Sequence, residues 1–146
     1  CYLALRGLRT AGVRLRQHHG QGLALARWLA SRPEVARVLH PGLESCPGHA
    51  LWRRDFTGAS GLFSIVLPAA TPKPAIDAML DGMELFSIGA SWGGFESLVL
   101  PGHPERLRTA KPWTAGPVIR FHAGLEDLDD LIADLERGLA RLVQRR

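Results

Sequence analysis

Arg120 stands inside an apolar run, Val118-Ile119-Arg120-Phe121-His122-Ala123. In extended backbone, successive side chains alternate between faces, so Val118, Arg120 and His122 share one face and Ile119 and Phe121 take the other. A buried arginine left without a partner costs roughly several kcal/mol, so Arg120 needs an anion. Its planar guanidinium holds a carboxylate in a two-point grip that lysine cannot match. Two kinds of partner fit. One is a structural ion pair with Glu96, Glu126 or a surface carboxylate; the other is the carboxylate of a ligand.

A second stretch carries related chemistry. "GASWGGFES", Gly89 to Ser97, is too rich in glycine for a helix and too apolar for an ordinary surface loop. Successive glycines permit positive φ or a close backbone approach to a ligand. Freed backbone N–H groups near Ser91 and Trp92 can meet an anionic oxygen. Trp92 either walls such a site or fills the core beneath a tight turn.

The remaining reactive side chains point away from a complete catalytic centre. His18 and His19 are adjacent and so face different sides of a helix. His40, His49, His103 and His122 show no HxxxH or HExxH spacing, and no metal is expected. Asp127, Asp129 and Asp130 precede an amphipathic segment, where N-terminal capping explains them. Cys1 and Cys46 lie outside any CxxC or Cys/His cluster. The chain has no GxSxG, P-loop or GxGxxG motif.

The elements that must position Arg120 follow from periodicity. Leu8, Ala11, Leu15, His18, Gly22, Leu25 and Leu29 recur at helical spacing. They predict one long helix that stops near Ser31, before Pro33, with a possible break at His19-Gly20. Val35–Pro41 and Ser60–Pro68 read as strands. The second is mostly apolar, which predicts burial on both faces. "HALWRRDF" reads as a short helix. Thr71 can cap a helix that opens with Pro72 and runs to about Asp81. "ELFSI" and "ESLVL" read as short strands, the latter closed by Pro101. Val118–Ala123 is a further strand. Leu128, Leu131, Ile132, Leu135, Leu139 and Leu142 mark a final helix, with acids at its start and Arg141, Arg145 and Arg146 at its end.

The predicted fold is α/β (α+β): a mixed or mainly antiparallel sheet with helices packed on it. Its expected core includes Leu62, Ile65, Val66, Ile119, Phe121, Leu131, Leu135 and Leu139. A length of 146 residues fits one domain. The net charge of +4 is carried almost wholly by arginine, Lys73 and Lys111 being the only lysines. These charges are scattered and not interleaved with aromatics, so no nucleic-acid partner is expected. No apolar run approaches the ~18 residues of a membrane span. With no visible secretion signal, a reduced, cytoplasmic setting is expected. The chain opens on Cys1 with a helical pattern already under way, which suggests part of a longer polypeptide.

Several segments together carry a resemblance: "RGLRTAGVRLRQHH", "HPGLESCPGHALWRRDFTGASGLFSIVL", "LFSIGASWGGFESLVLP" and "IRFHAGLEDLDDLIADLERGLARL". In order and over nearly the whole chain, they resemble the C-terminal part of the cystathionine β-lyases. These belong to the Cys/Met-metabolism group of pyridoxal-phosphate (PLP) enzymes, with the fold-type I aminotransferase architecture. The resemblance implies that residues 1–146 form the small C-terminal domain of such an enzyme. Residues 1–31 would be the long helix joining it to an absent PLP-binding domain. It implies a parent carbon–sulfur lyase that splits cystathionine into homocysteine, pyruvate and ammonia, with PLP as the electron sink. Arg120 then grips the substrate α-carboxylate, and Ser91 and Trp92 help line the same subsite. The Schiff-base lysine lies outside the chain, because neither Lys73 nor Lys111 sits in the family's lysine context. The chain alone is therefore expected neither to bind PLP productively nor to turn over. The implied partners are an amino-acid thioether substrate, the PLP domain and further copies in a homotetramer. Cystathionine γ-lyases, γ-synthases and sulfhydrylases resemble "SLGG" where this chain has "SWGG", so Trp92 favours the β-lyase branch. Ala90 departs from the tyrosine usual there, which leaves the exact substrate open. A non-catalytic interaction domain on the same core is the alternative from another class.

Overall fold

The computed structural model describes residues 1–143. Five strands form one sheet in the order β1-β2-β5-β4-β3. They are β1 (Arg37–Leu39), β2 (Leu62–Val66), β3 (Ser87–Ile88), β4 (Leu98–Gly102) and β5 (Val118–His122). All neighbours are antiparallel except β3 and β4. The helices are α1 (Tyr2–Arg9), α2 (Ala11–Ala30), α3 (His49–Asp55), α4 (Lys73–Asp81), α5 (Pro104–Leu107) and α6 (Leu128–Val143). The mixed sheet with packed helices is the predicted architecture.

Register fixes two unlike faces. Directly opposed residues share a face, so Val38, Ile65, Phe63, Ile119, Phe121 and Val99 form the inner one. These six join Leu25 and Leu29 of α2, Ile76 and Met79 of α4, and Leu131, Leu135 and Leu139 of α6 in one core. The outer face carries Leu39, Ser64, Arg120 and Leu100 in one row and Leu62, His122 and Leu98 in the next. Burial of β2 on both faces is thus only partly correct. Phe63, Ile65 and Val66 are buried, whereas Leu62 and Ser64 are half-buried. The other expected core residues are all buried.

Several boundaries differ from expectation. The first helix breaks at Thr10, not at His19-Gly20. The Gly7 carbonyl freed at the break accepts from the Thr10 backbone N–H and from Arg14 Nη1. At the expected break, two histidines tie the helix down instead. His18 Nδ1 lies 2.8 Å from the Ala123 carbonyl, and His19 Nδ1 accepts the Ala59 N–H at 3.0 Å. Thr71 makes no side-chain cap; Pro72 is the N-cap of α4 and Pro74 occupies its first turn. β4 continues through Pro101. The two residues of β3 pair only with Leu98 and Val99, so β4 has a free edge at Pro101 and needs no donor there. "ELFSI" shrinks to Ser87–Ile88 because the N–H groups of Glu84, Leu85 and Phe86 donate to the Asp134 carboxylate and not to a strand. Asp127 Oδ1 accepts the Asp129 N–H at 2.9 Å, the expected cap of α6. The predicted basic end at Arg145 and Arg146 lies outside the described residues.

Candidate functional site

β3 and β4 run parallel although only nine residues join them. The connection, Gly89–Ser97, must double back, and it does so beside the outer face of β5. Gly93 makes this return possible with φ of +82°, a conformation that glycine alone adopts without strain. The other end is clamped by Glu126. Its carboxylate accepts the Ser97 N–H and the Ser97 Oγ–H, both at 2.7 Å, while Ser97 Oγ accepts the Gly124 N–H at 2.8 Å. Leu125 N–H donates to the Phe95 carbonyl at 2.7 Å.

Arg120 faces this loop from the middle of β5. Its Nη2 donates to the Ala90 carbonyl at 2.8 Å and to the Gly89 carbonyl at 3.3 Å. These are oriented dipoles, not charges. Among the described residues, no carboxylate lies within ion-pair distance of the guanidinium, and Nε and Nη1 make no hydrogen bond. The structural ion pairs considered for Arg120 are absent for a plain reason: Glu126 is held by Ser97, and Glu96 is exposed in the loop. The half-buried cation is thus aimed by one edge and left with open donors on the others.

The structure brings Arg120 against the peptide shared by Ala90 and Ser91. Ser91 is exposed beside it. Trp92 is 59% exposed and makes no hydrogen bond, so it is not the core tryptophan that a tight turn could have concealed. His122 joins the site from the same face as Arg120. Its Nε2 accepts the Gly93 N–H at 3.0 Å. Burial lowers the His122 pKa below its usual range; the Gly94 backbone and Glu126 oppose the shift, while His18 and Arg120 reinforce it. The sequence reading missed His122, Ser97 and Glu126 as parts of this site. Alternation had put His122 on the Arg120 face, and that was the available signal.

The lysines stand elsewhere. Lys73 Nζ pairs with Asp77 Oδ2 at 2.6 Å and its side chain is 82% exposed. It borders a cavity of about 490 Å³ with Pro101, Trp113 and Val118, at the far end of β5 from His122. Lys111 is exposed in the loop after α5. Neither is a buried amine beside a cofactor-sized cradle, so these residues do not fit a Schiff-base site for PLP.

An oriented guanidinium with free donors on a sheet face has the chemistry to hold a small carboxylate or similar anion. The family model for Cys/Met metabolism PLP-dependent enzymes matches residues 1–140, and the chain belongs to that family. It is 53% identical over 146 residues to cystathionine beta-lyase MetC of Escherichia coli, covering 97% of this chain and 37% of that protein. It is 51% identical to cystathionine beta-lyase of Salmonella typhimurium, with the same coverage. A crystal structure of cystathionine gamma synthase from Xanthomonas oryzae in complex with cystathionine superposes with a TM-score of 0.83 at 36% identity, covering 97% of this chain and 38% of that one. The chain therefore spans little more than a third of the relatives it matches. Among the described residues no helix is long and apolar enough to cross a membrane.

Proposed function

We propose that this chain is the small C-terminal domain of a cytoplasmic PLP-dependent carbon–sulfur lyase, and that it supplies the grip on the substrate carboxylate. The observation that carries the reading is the guanidinium of Arg120, oriented by two carbonyls and lacking a counter-charge among the described residues. Arg120 binds the α-carboxylate of the amino acid, Ser91 lies beside it, and Trp92 borders the subsite. Fixing that carboxylate fixes the α-carbon, whose position governs the rate of proton removal. PLP, held by the lysine-bearing domain, supplies the electron sink. Cystathionine is the proposed substrate, cleaved to homocysteine, pyruvate and ammonia. The close β-lyase relatives and Trp92 favour this over the γ-elimination and γ-synthase reactions of the same family.

The exposed apolar side chains of the first helices support the domain assignment. Tyr2, Leu3, Leu5 and Leu8 of α1 and Leu15 of α2 are all more than half exposed, and α1 buries no residue. An apolar stripe of this kind is covered in the working protein, and the PLP domain is its proposed cover.

The decisive assay is product analysis in the polypeptide that joins this chain to the family's lysine-bearing part. Cystathionine should release pyruvate; dominant 2-oxobutyrate would reject the β-lyase assignment. In that enzyme, Arg120→Leu should raise KM for cystathionine about 100-fold, the scale of a lost charge-assisted bidentate contact. An unchanged KM would remove Arg120 from the site. The isolated chain mixed with PLP should, once free PLP is removed by gel filtration, keep no stable internal-aldimine absorbance band that borohydride abolishes.

A further inference from the structure

Two buried histidines are not used by the carboxylate grip. His18 and His122 are each about 1% exposed, and their ring centroids lie 4.9 Å apart. Gly22 makes the meeting possible. It lies one turn beyond His18 on the same helix face, and a Cβ there would stand 3.0 Å from the Gly61 Cα. The helix thus approaches the entry to β2 closely enough to seat His18 beside β5.

Their hydrogen bonds fix both tautomers. A carbonyl only accepts, so His18 Nδ1, 2.8 Å from Ala123 O, carries the proton, and its Nε2 is a bare acceptor. A backbone N–H only donates, so His122 Nε2 is bare and its Nδ1 carries the proton. The two nitrogens left over, His18 Nε2 and His122 Nδ1, are both buried and have no partner among the described residues. One is an acceptor and the other a donor, on rings that already touch. The uncharged Leu62 and Leu98 flank His122 across the sheet; Glu126, Arg120 and His18 are the ionisable groups around it.

We infer that His18 and His122 form a tautomer-locked relay, from Ala123 O through both rings to the Gly93 N–H, that latches the Gly89–Ser97 loop and so holds the carbonyls that aim Arg120. His122 donates from Nδ1 to His18 Nε2 through one bridging water, since the two nitrogens make no direct hydrogen bond. Both residues are positioning residues. Protonation of His122 at Nε2 replaces the acceptor with a donor and opens the latch at Gly93. The effect on carboxylate binding rests on the role proposed for Arg120, whereas the latch itself is readable without any ligand.

Long-range ¹H–¹⁵N spectra of the labelled chain at pH 7.5 test it. Both rings should be neutral and in the Nδ1–H form. An Nε2–H tautomer or a charged ring at either residue overturns the relay. His122→Leu should speed hydrogen exchange at the Gly93 amide about tenfold or more, while the Ile65 and Phe121 amides stay protected. His122→Gln, which restores an acceptor, should recover most of that protection. Unchanged Gly93 exchange in His122→Leu with an intact sheet also overturns it. Should His122→Leu fail to fold, the tautomers of the unaltered chain decide.

Discussion

Asp134 and Arg120 are two charged side chains that the fold draws inward, and the chain treats them oppositely. Asp134 is completely buried on the inner face of α6. Its carboxylate accepts from the N–H groups of Glu84, Leu85 and Phe86 and from Arg137 Nη2, at 2.9–3.2 Å. Every lone pair is answered from within, and the charge sets the turn that feeds β3. Arg120 is only half-buried, and carbonyl oxygens hold it without neutralising it. A charge fully answered within the chain is architecture; a charge aimed yet unanswered among the described residues is available to a ligand. The difference is visible in the hydrogen bonds alone, before any relative is considered.

The sharpest test of this contrast compares two truncations. Asp134→Ala strands three N–H donors in the interior and should cost about 3 kcal/mol or more of unfolding free energy by urea titration. Arg120→Leu removes a cation with no ionic partner among the described residues, so its cost should stay below about 1 kcal/mol. Equal costs would mean that Arg120 is as structural as Asp134.

A smaller effect probes a third solution to burial, which is to keep the group neutral. His40 is buried against Phe63, with Arg27 and His19 nearby; burial first, then those charges, lowers its pKa to about 4. His122 is lowered in the same direction, chiefly by burial. The unfolded chain binds these protons near pH 6.5, so it holds more protons than the folded chain at mildly acid pH. Stability is complete above about pH 6.5 and falls as the pH drops toward 4, by on the order of 2 kcal/mol for His40. Urea midpoints at pH 7.5 and 4.5 measure the loss, and His40→Gln should flatten it. A wild-type midpoint unchanged across that interval would contradict the burial of a neutral imidazole.

The sheet, the final helix and the core were legible because apolar periodicity reports burial directly. Arg120 was legible for the converse reason: a cation inside an apolar strand violates the pattern. That no carboxylate among the described residues answers it was not legible, because that depends on Glu126 being engaged by Ser97, a contact across 29 residues. Asp134 was hidden for a similar reason. On a helix wheel it is one more polar residue near an acidic start, and only the fold brings Glu84–Phe86 to it. The break at Thr10 also escaped prediction, since glycines mark weak helix but do not say which weak point yields. Among the residues named from family resemblance, Ser91 and Trp92 fall where the loop meets Arg120, yet alternation and composition alone would not have separated them from an ordinary turn.

The smallest expected effect asks whether the open charge depends on backbone geometry in the loop. A Cβ at Gly93 would meet nothing within 4 Å, so no clash opposes a side chain there. Its φ of +82° is the sole obstacle. Gly93→Ala should therefore cost about 1 kcal/mol, and Gly93→Asn clearly less, because asparagine tolerates the left-handed region. The cost should appear as a urea midpoint lowered in proportion, together with faster exchange at Gly93 and a weaker carboxylate grip. The Asp134 turn lies in a different connection and should not respond. If Gly93→Ala were silent, the loop would reach Arg120 without the left-handed turn, and the aimed, open guanidinium would owe its position to β5 alone.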